Sequence, residues 1–385
     1  MKVTFYSGFM MHHQEPFSLK MQSILGDDYK FVACESIDPE RLKLGYSDNN
    51  KKYDFIVRAY ESDAQKYIAE KLAIESDVVI FGSGDEYYLK KRIQETNKLT
   101  FRYSERLLKK GNNLIKYIPR CVKLRVNNPQ NAKMYVLCAS AYTAADYARF
   151  GLYKNRTYKW GYFPETECIE NIDEILEKKE PNSILWCGRF IDWKHPDLAV
   201  EIARKLKADG YDFKLNLIGT GMMENQLKEM VNKYHLSDCV KIFASMTPNQ
   251  IREQMKNAQI YLFTSDFQEG WGAVLNEAMN SGCACIANHA IGSVPFLVSG
   301  KNNALIYKNN DFDDLYSNVQ YLINNTALCN KLGKNAYETI VKCWNAEFAT
   351  ERLIELCEGL LAGKSVSYEA GPCSEAKIIK NDWYK

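Results

Sequence analysis

The chain has 385 residues, 46% of them hydrophobic, which is enough for a sizeable core and longer than a usual single domain, so two domains are expected. A formal net charge of +2 excludes a dedicated nucleic-acid binder, which would carry a strong basic excess. The twelve cysteines form no CxxC pair and have no paired histidine cluster, which argues against a zinc site or disulfide framework and for reduced thiols in the cytoplasm.

The N-terminus enters directly into a strand-like run, "KVTFYS" (2–7), with no charged region and long apolar segment ahead of it. Further strand-like runs follow at "KFVACE" (30–35), "SDVVIFG" (76–82), "KLTFRYS" (98–104) and "KMYVLCAS" (133–140), separated mostly by helix-length stretches such as "AQKYIAEKLAIES". This alternation is the pattern of βαβ units around a parallel sheet. A polar, acid-rich connection, "NIDEILEKKEPN" (171–182), reads as a linker. A second series then begins with "SILWCGR" (183–189), "FKLNLIG" (213–219), "CVKIFAS" (239–245), "AQIYLFTS" (258–265) and "CACIANH" (283–289). Leu198, Ile202 and Leu206, four apart, predict one buried stripe on the helix between the first two of these. "EFATERLIELCEGLLAG" predicts a long amphipathic helix, with a polar tail from Lys364. The expected organisation is a first domain over 1–166, a linker over 167–182, a second domain over 183–344, and a C-terminal helix and tail over 345–385.

Two open α/β sheets predict a ligand cleft at the carboxyl ends of their strands, so residues just after strands carry the interest. "LWCGRFIDWKHP" puts Gly188 and Arg189 at the end of the second domain's first strand, with Lys194 near a helix start. Two cations there would neutralise a diphosphate, although two solvated surface cations read the same way. Gly219 and Gly221 in "LIGTGMMEN" let a ligand or a helix approach the backbone; a tight strand-to-helix turn explains them too. In "FASMTPNQI", Ser245 and Met246 lie on a loop, and Thr247 and Pro248 read as N-cap and first helical residue. In "QEGWGAVLNEAMNSG" two acids stand eight residues apart: Glu269 before a Gly-Trp-Gly turn, and Glu277 within a short apolar helix. Carboxylates accept hydrogen bonds from sugar hydroxyls, and one acid for a ribose with another for a hexose would account for both. A capping acid plus a buried, paired glutamate is the other reading.

"EGWGAVLNEAMNSGCACIAN", with "GRFIDWK" and "IGTGMMENQL", resembles glycosyltransferase family 4, retaining enzymes of GT-B fold that use nucleotide sugars. The resemblance is specific over roughly 183–345 and weaker over the first 166 residues. It implies two Rossmann-like parallel-sheet domains facing a central cleft. It implies that Arg189 and Lys194 bind the donor diphosphate, that Glu277 holds the ribose, and that Glu269, with the amides of Gly270 and Trp271, holds the transferred sugar. Ser245 and Met246 would make backbone contacts to the base, and Gly219 and Gly221 would belong to the donor site. The segment after Trp344 would return to the first domain. The implied reaction moves a hexose-type sugar from a nucleoside diphosphate sugar, UDP-sugar favoured, to a hydroxyl of a glycan or lipid-linked acceptor in cell-surface polysaccharide synthesis. It needs no metal and no cofactor beyond the co-substrate, and Glu269, Arg189 and Lys194 would be the catalytic residues.

The chain departs from the family near the N-terminus, where "SGFMMHHQEPF" replaces a Gly-Gly turn; Gly8, His12 and His13 there, with Arg106 in "FRYSERLLKKG", are the candidates for acceptor or phosphate contact. Between residues 101 and 133 nine Lys or Arg stand against one acid, Glu105, interleaved with apolar residues. Such a stretch lies on an anionic membrane surface or forms a solvated helix face over core residues, and it implies a cytoplasmic protein with peripheral contact to the inner membrane face. Nothing calls for nucleic acid. A nucleotide-sugar epimerase or phosphorylase, or a catalytically silent GT-B partner subunit, are the alternatives. A nicotinamide dehydrogenase is disfavoured, because no G-x-G-x-x-G follows the first strand of either series.

Overall fold

The computed structural model describes residues 1–38, 47–109, 111, 114–129 and 131–385, with the side chains of residues 114–116 outside the description. The chain divides into two compact units, one of Met1–Glu165 with Trp344–Ile379, the other of Thr166–Cys343 with Lys380–Lys385.

In the first unit the strands are β1 (Val3–Ser7), β2 (Tyr29–Ala33), β3 (Ile56–Arg58), β4 (Val78–Phe81), β5 (Leu99–Ser104), β6 (Met134–Cys138) and β7 (Thr157–Lys159). They form one sheet in the order β3-β2-β1-β4-β5-β6-β7, every neighbouring pair parallel. The helices are α1 (Glu15–Leu25), α2 (Asp63–Glu75), α3 (Glu86–Glu95), α4 (Leu114–Asn127) and α5 (Thr143–Ala148). β4 (VVIF) and β6 (MYVLC) are apolar along their length, as a covered parallel sheet favours, whereas β5 and β7 carry Arg102, Ser104 and Lys159.

The second unit has α6 (Ile172–Lys178), β8 (Glu180–Cys187), α7 (Pro196–Ala208), β9 (Lys214–Ile218), α8 (Glu224–Lys233), β10 (Val240–Phe243), α9 (Pro248–Asn257), β11 (Ala258–Phe263), α10 (Val274–Asn280), β12 (Ala284–Asn288), α11 (Val294–Leu297), β13 (Leu305–Tyr307), α12 (Phe312–Ile323) and α13 (Thr326–Lys342). Its parallel sheet runs β10-β9-β8-β11-β12-β13. Ile184, Trp186, Leu215, Leu217, Ile260, Leu262 and Ile286 form the sheet side of its core, and α7 covers them with Val200, Ile202 and Leu206. The predicted stripe on α7 is present, with Leu198 half-buried at its edge. Thr247 caps α9 in a capping box with Gln250, and Pro248 opens the helix, as its missing N–H allows.

The expected linker over 167–182 needs correction. Residues 172–178 form α6, whose Ile172 and Leu176 pack with Tyr337 of α13, and Pro181 and Asn182 already belong to β8. Lys179, between them, is buried, and its ammonium donates to the carbonyls of Met255, Lys256, Ala258 and Ser281 at 2.9–3.1 Å. A charge held by four carbonyl dipoles fixes this segment in the second unit. After Trp344 the chain forms α14 (Ala346–Leu361), which packs on α1 and β5, and Thr157 then bonds the tail at Ala376. Three strands went unread in the sequence, β3, β7 and β13, because three residues carry too little periodicity to register.

Candidate functional site

In each sheet the chain reverses direction of growth between two adjacent strands, β1 and β4 in the first unit and β8 and β11 in the second. Loops leaving such neighbours diverge and leave a crevice at the strand ends.

In the second unit β8 leads into Gly188, Arg189 and a 3-10 turn, Asp192–Lys194. His195 then adopts left-handed backbone, and Pro196 opens α7. The turn is clasped to the end of β11 by Thr264, whose buried Oγ1 faces the carbonyls of Lys194 (2.7 Å) and His195 (2.9 Å) and accepts from Trp186 Nε1 (2.7 Å). Thus fixed, Lys194 Nζ reaches Glu269 Oε2 at 2.5 Å, and Ser265 Oγ donates to the same oxygen at 3.0 Å. The ion pair therefore spans the two loops of the switch point. Trp193 lies between the cations, its ring 4.8 Å from Lys194 Nζ and 6.0 Å from the Arg189 guanidinium. Arg189 itself is exposed.

The loop from β11 is equally constrained. Asp266 accepts from the Gln268 amide and lies 3.8 Å from His195 Nε2, while its own amide bonds the Trp193 carbonyl at 2.9 Å. Gly272 has φ +81°, and a Cβ there would sit 2.2 Å from Phe263 Cζ, so only glycine makes this entry to α10. The Gly270 amide donates to no described group. Trp271 is fully buried and donates to Asn276 Oδ1 at 2.9 Å, so its side chain braces the loop and only its backbone can meet a ligand. Glu277 is half-buried on α10 and accepts no hydrogen bond from the described residues. Burial pushes its carboxyl up to about 7, against the pull of the Arg252 charge. Burial raises the Cys187 thiol at the end of β8, with the Glu277 charge adding to the rise and Lys194 opposing it.

The glycine turn after β9 has a packing role. A Cβ on Gly219 would lie 1.8 Å from the Gly188 carbonyl oxygen, and one on Gly221 would lie 2.4 Å from that of Phe190. Missing side chains let the two loops bond backbone to backbone, Gly188 to Ile218 and Phe190 to Thr220. Ser245 meets this turn through Thr220, hydroxyl to hydroxyl at 3.1 Å, and half-buried Met246 follows it.

The first unit gathers a separate group. Gly8 lies at the end of β1, its amide 3.3 Å from Ser83 Oγ beyond β4. His12 and His13 meet edge to face at 5.2 Å, and buried His13 stacks on Tyr162 at 3.9 Å. Tyr162 donates to Glu105, which also holds Lys109. Arg106 is turned to Asp146 (3.8 Å) and lies over the Tyr142 ring (4.8 Å). Sequence reasoning missed Trp193, Thr264, Ser265, Asp266 and Tyr162; the run of polar residues straight after β11 was the available signal for three of them.

Two doubly wound parallel-sheet units, one carrying paired charges at its switch point, define the GT-B class of fold. Residues 169–339 match the family described as Glycosyl transferases group 1. An uncharacterized glycosyltransferase of Haemophilus influenzae is 26% identical over 186 residues, 48% of this chain and 50% of that protein. The amylovoran biosynthesis glycosyltransferase AmsK of Erwinia amylovora is 32% identical over 124 residues, 31% of this chain and 30% of its own length. The chain thus spans half or less of the length of these curated relatives. Among solved structures, Anabaena Alr3699/HepE in complex with UDP superposes with a TM-score of 0.68 at 14% identity, over 93% of this chain and 100% of that one. The Anabaena protein is also solved with UDP-glucose. At that identity the likeness shows the fold.

Proposed function

We propose that the chain is a retaining glycosyltransferase of the family 4 type, moving a hexose-type sugar from a nucleoside diphosphate sugar, UDP-sugar favoured, to a hydroxyl of a glycan or lipid-linked acceptor in polysaccharide synthesis. The observation that carries this reading is the Lys194–Glu269 pair bridging the ends of β8 and β11, with Arg189 and Glu277 beside it. The family match over 169–339 supports it, as do the amylovoran role of AmsK and the UDP and UDP-glucose complexes of the Anabaena protein.

In the reaction the bond between the sugar's anomeric carbon and the diphosphate breaks, a bond to the acceptor oxygen forms on the same face, and the acceptor proton passes to the departing phosphate. Charge builds on the diphosphate as it leaves. Arg189 grips it from the exposed edge, and Lys194 meets it as a point charge once the diphosphate competes with Glu269 for its ammonium. Glu269 then accepts hydrogen bonds from the sugar hydroxyls, and Glu277 from the ribose. Two protein cations supply the charge stabilisation, so the scheme requires no metal. Gly8, His12, His13 and Arg106 in the first unit are the acceptor-side candidates, His13 held by Tyr162, His12 against His13, and the arginine by Asp146.

A thermal-shift panel of nucleotide sugars, followed by assays for donor hydrolysis and transfer, tests the reading. One diphosphate sugar should raise the melting temperature and be consumed. Stabilisation by none of them, or cleavage of glycan by phosphate without transfer, would contradict it.

A further inference from the structure

Three cations of the basic stretch between residues 101 and 133 are neutralised by acids: Arg102 pairs with Glu86, Arg106 with Asp146 and Lys109 with Glu105, while Lys110 lies outside the described residues. Arg189, exposed after β8, is held differently. Among the described residues no acid forms an ion pair with its guanidinium, and no group accepts a hydrogen bond from it. Its partner is the Trp193 ring, 6.0 Å away, and the same ring lies 4.8 Å from Lys194 Nζ.

Trp193 is itself fixed. It belongs to the 3-10 turn Asp192–Lys194, its carbonyl accepts from the Asp266 amide at 2.9 Å, and the next two carbonyls are clasped by Thr264. Its side chain is half-buried, and an indole is the strongest aromatic partner for a cation.

A ring in place of an acid has a chemical consequence. An acid beside Arg189 would cancel the charge that a diphosphate seeks and would repel the diphosphate as well. An aromatic face attracts a cation through its quadrupole but carries no net charge, so it orders the cation and leaves its charge available. Lys194 does have an acid, Glu269, yet once Glu269 turns to the sugar hydroxyls the ring is the partner that remains. Ordering both side chains beforehand also reduces the conformational entropy lost when they close on an anion.

We propose that Trp193 is a positioning residue of the donor site, a neutral aromatic bracket that holds Arg189 and Lys194 in place for the diphosphate. It acts through the two cations and touches neither the sugar nor the base. This role rests on the donor-binding reading above and deepens it by naming what orders the cations.

The test is calorimetric titration of wild type, Trp193→Leu and Trp193→Phe with UDP and with uridine. Trp193→Leu keeps an apolar side chain but has no π face. It should bind UDP about five- to tenfold more weakly, the scale of two partly exposed cation–π contacts, with uridine affinity and melting temperature held. Trp193→Phe retains a face and should lose only about twofold. On an Arg189→Ala background the loss caused by Trp193→Leu should shrink to about two- to threefold, because one of the two contacts is already gone. Four results would overturn the inference while leaving the donor reading in place: UDP affinity of Trp193→Leu equal to wild type, a loss no smaller for Phe than for Leu, an undiminished loss on the Arg189→Ala background, or an equal loss for uridine, which would put the ring against the nucleoside itself. Failure of wild type to bind UDP would overturn both.

Discussion

Glu277 should act as a titrating group whose state reports on both stability and ligand. Burial raises its carboxyl from 4.5 to about 7 in the folded protein. The folded chain thus keeps a proton that the unfolded chain has already released, so this group costs nothing below the unfolded value. Stability falls as the pH rises from there towards about 7, and then levels off. At about 1.4 kcal/mol per pH unit the ceiling is about 3 kcal/mol, and partial exposure reduces it to about 2 kcal/mol. Glu277→Gln keeps the shape and removes the titration. The variant should melt about 4–8 °C above wild type at pH 8, with the gap closing towards zero near pH 4.5. If a ribose donates to the ionised carboxylate, UDP binding near pH 6.5 should also release a fraction of a proton from wild type that the variant does not release. Titrations in buffers of different ionisation heat measure that difference. A melting gap independent of pH, together with equal proton release from both proteins, would refute the placement of a half-buried, ligand-facing acid here.

Three further outcomes follow from the second unit. Arg189→Ala and Lys194→Ala should each lower transfer turnover by roughly two to three orders of magnitude, the scale for losing one transition-state charge stabiliser, with melting temperature held; steady-state rates check this. Gly219→Ala drives a Cβ against the Gly188 carbonyl, neither of which can yield, and should cost about 3 kcal/mol in urea unfolding of the second unit. Lys179→Met would strand four carbonyls that now share one ammonium, and should lower that unit's urea midpoint by an amount equivalent to about 2–3 kcal/mol.

Much of this architecture was legible in the sequence, because parallel strands announce themselves as short apolar runs at helix-length intervals. The runs at 2–7, 76–82, 98–104, 183–189 and 258–265 all became strands, with ends shifted by up to three residues. What failed to show was whatever depended on tertiary partners. The linker reading followed the acids of "NIDEILEKKEPN" and passed over Ile172 and Leu176, four apart, whose burial needs a helix more than 150 residues later. Within the candidate site, Arg189, Lys194 and Glu269 drew notice as charged side chains in loops after strands and Glu277 as an acid within an apolar helix, and the structure brings Lys194 and Glu269 into contact. Thr264 was invisible for the opposite reason: a threonine at a strand end is ordinary until the fold brings it to the Lys194 carbonyl, 70 residues away. The glycine turn was expected to admit a ligand or a helix, and the structure instead puts the Gly188 and Phe190 backbone of the neighbouring loop against it.

The central claim is that one switch point holds a nucleoside diphosphate sugar with its two acids on different parts of the ligand, and calorimetric titration with UDP at pH 8 tests it most directly. Wild type should bind. Glu277→Gln should bind about tenfold more weakly, the scale of one charge-assisted hydrogen bond, because UDP carries the ribose. Glu269→Gln should bind UDP as well as wild type or more tightly, because Lys194 is released from its carboxylate and UDP lacks the transferred hexose that Glu269 would hold. No UDP binding by wild type, or equal weakening by both variants, would contradict the account and leave the pair of glutamates as one structural network.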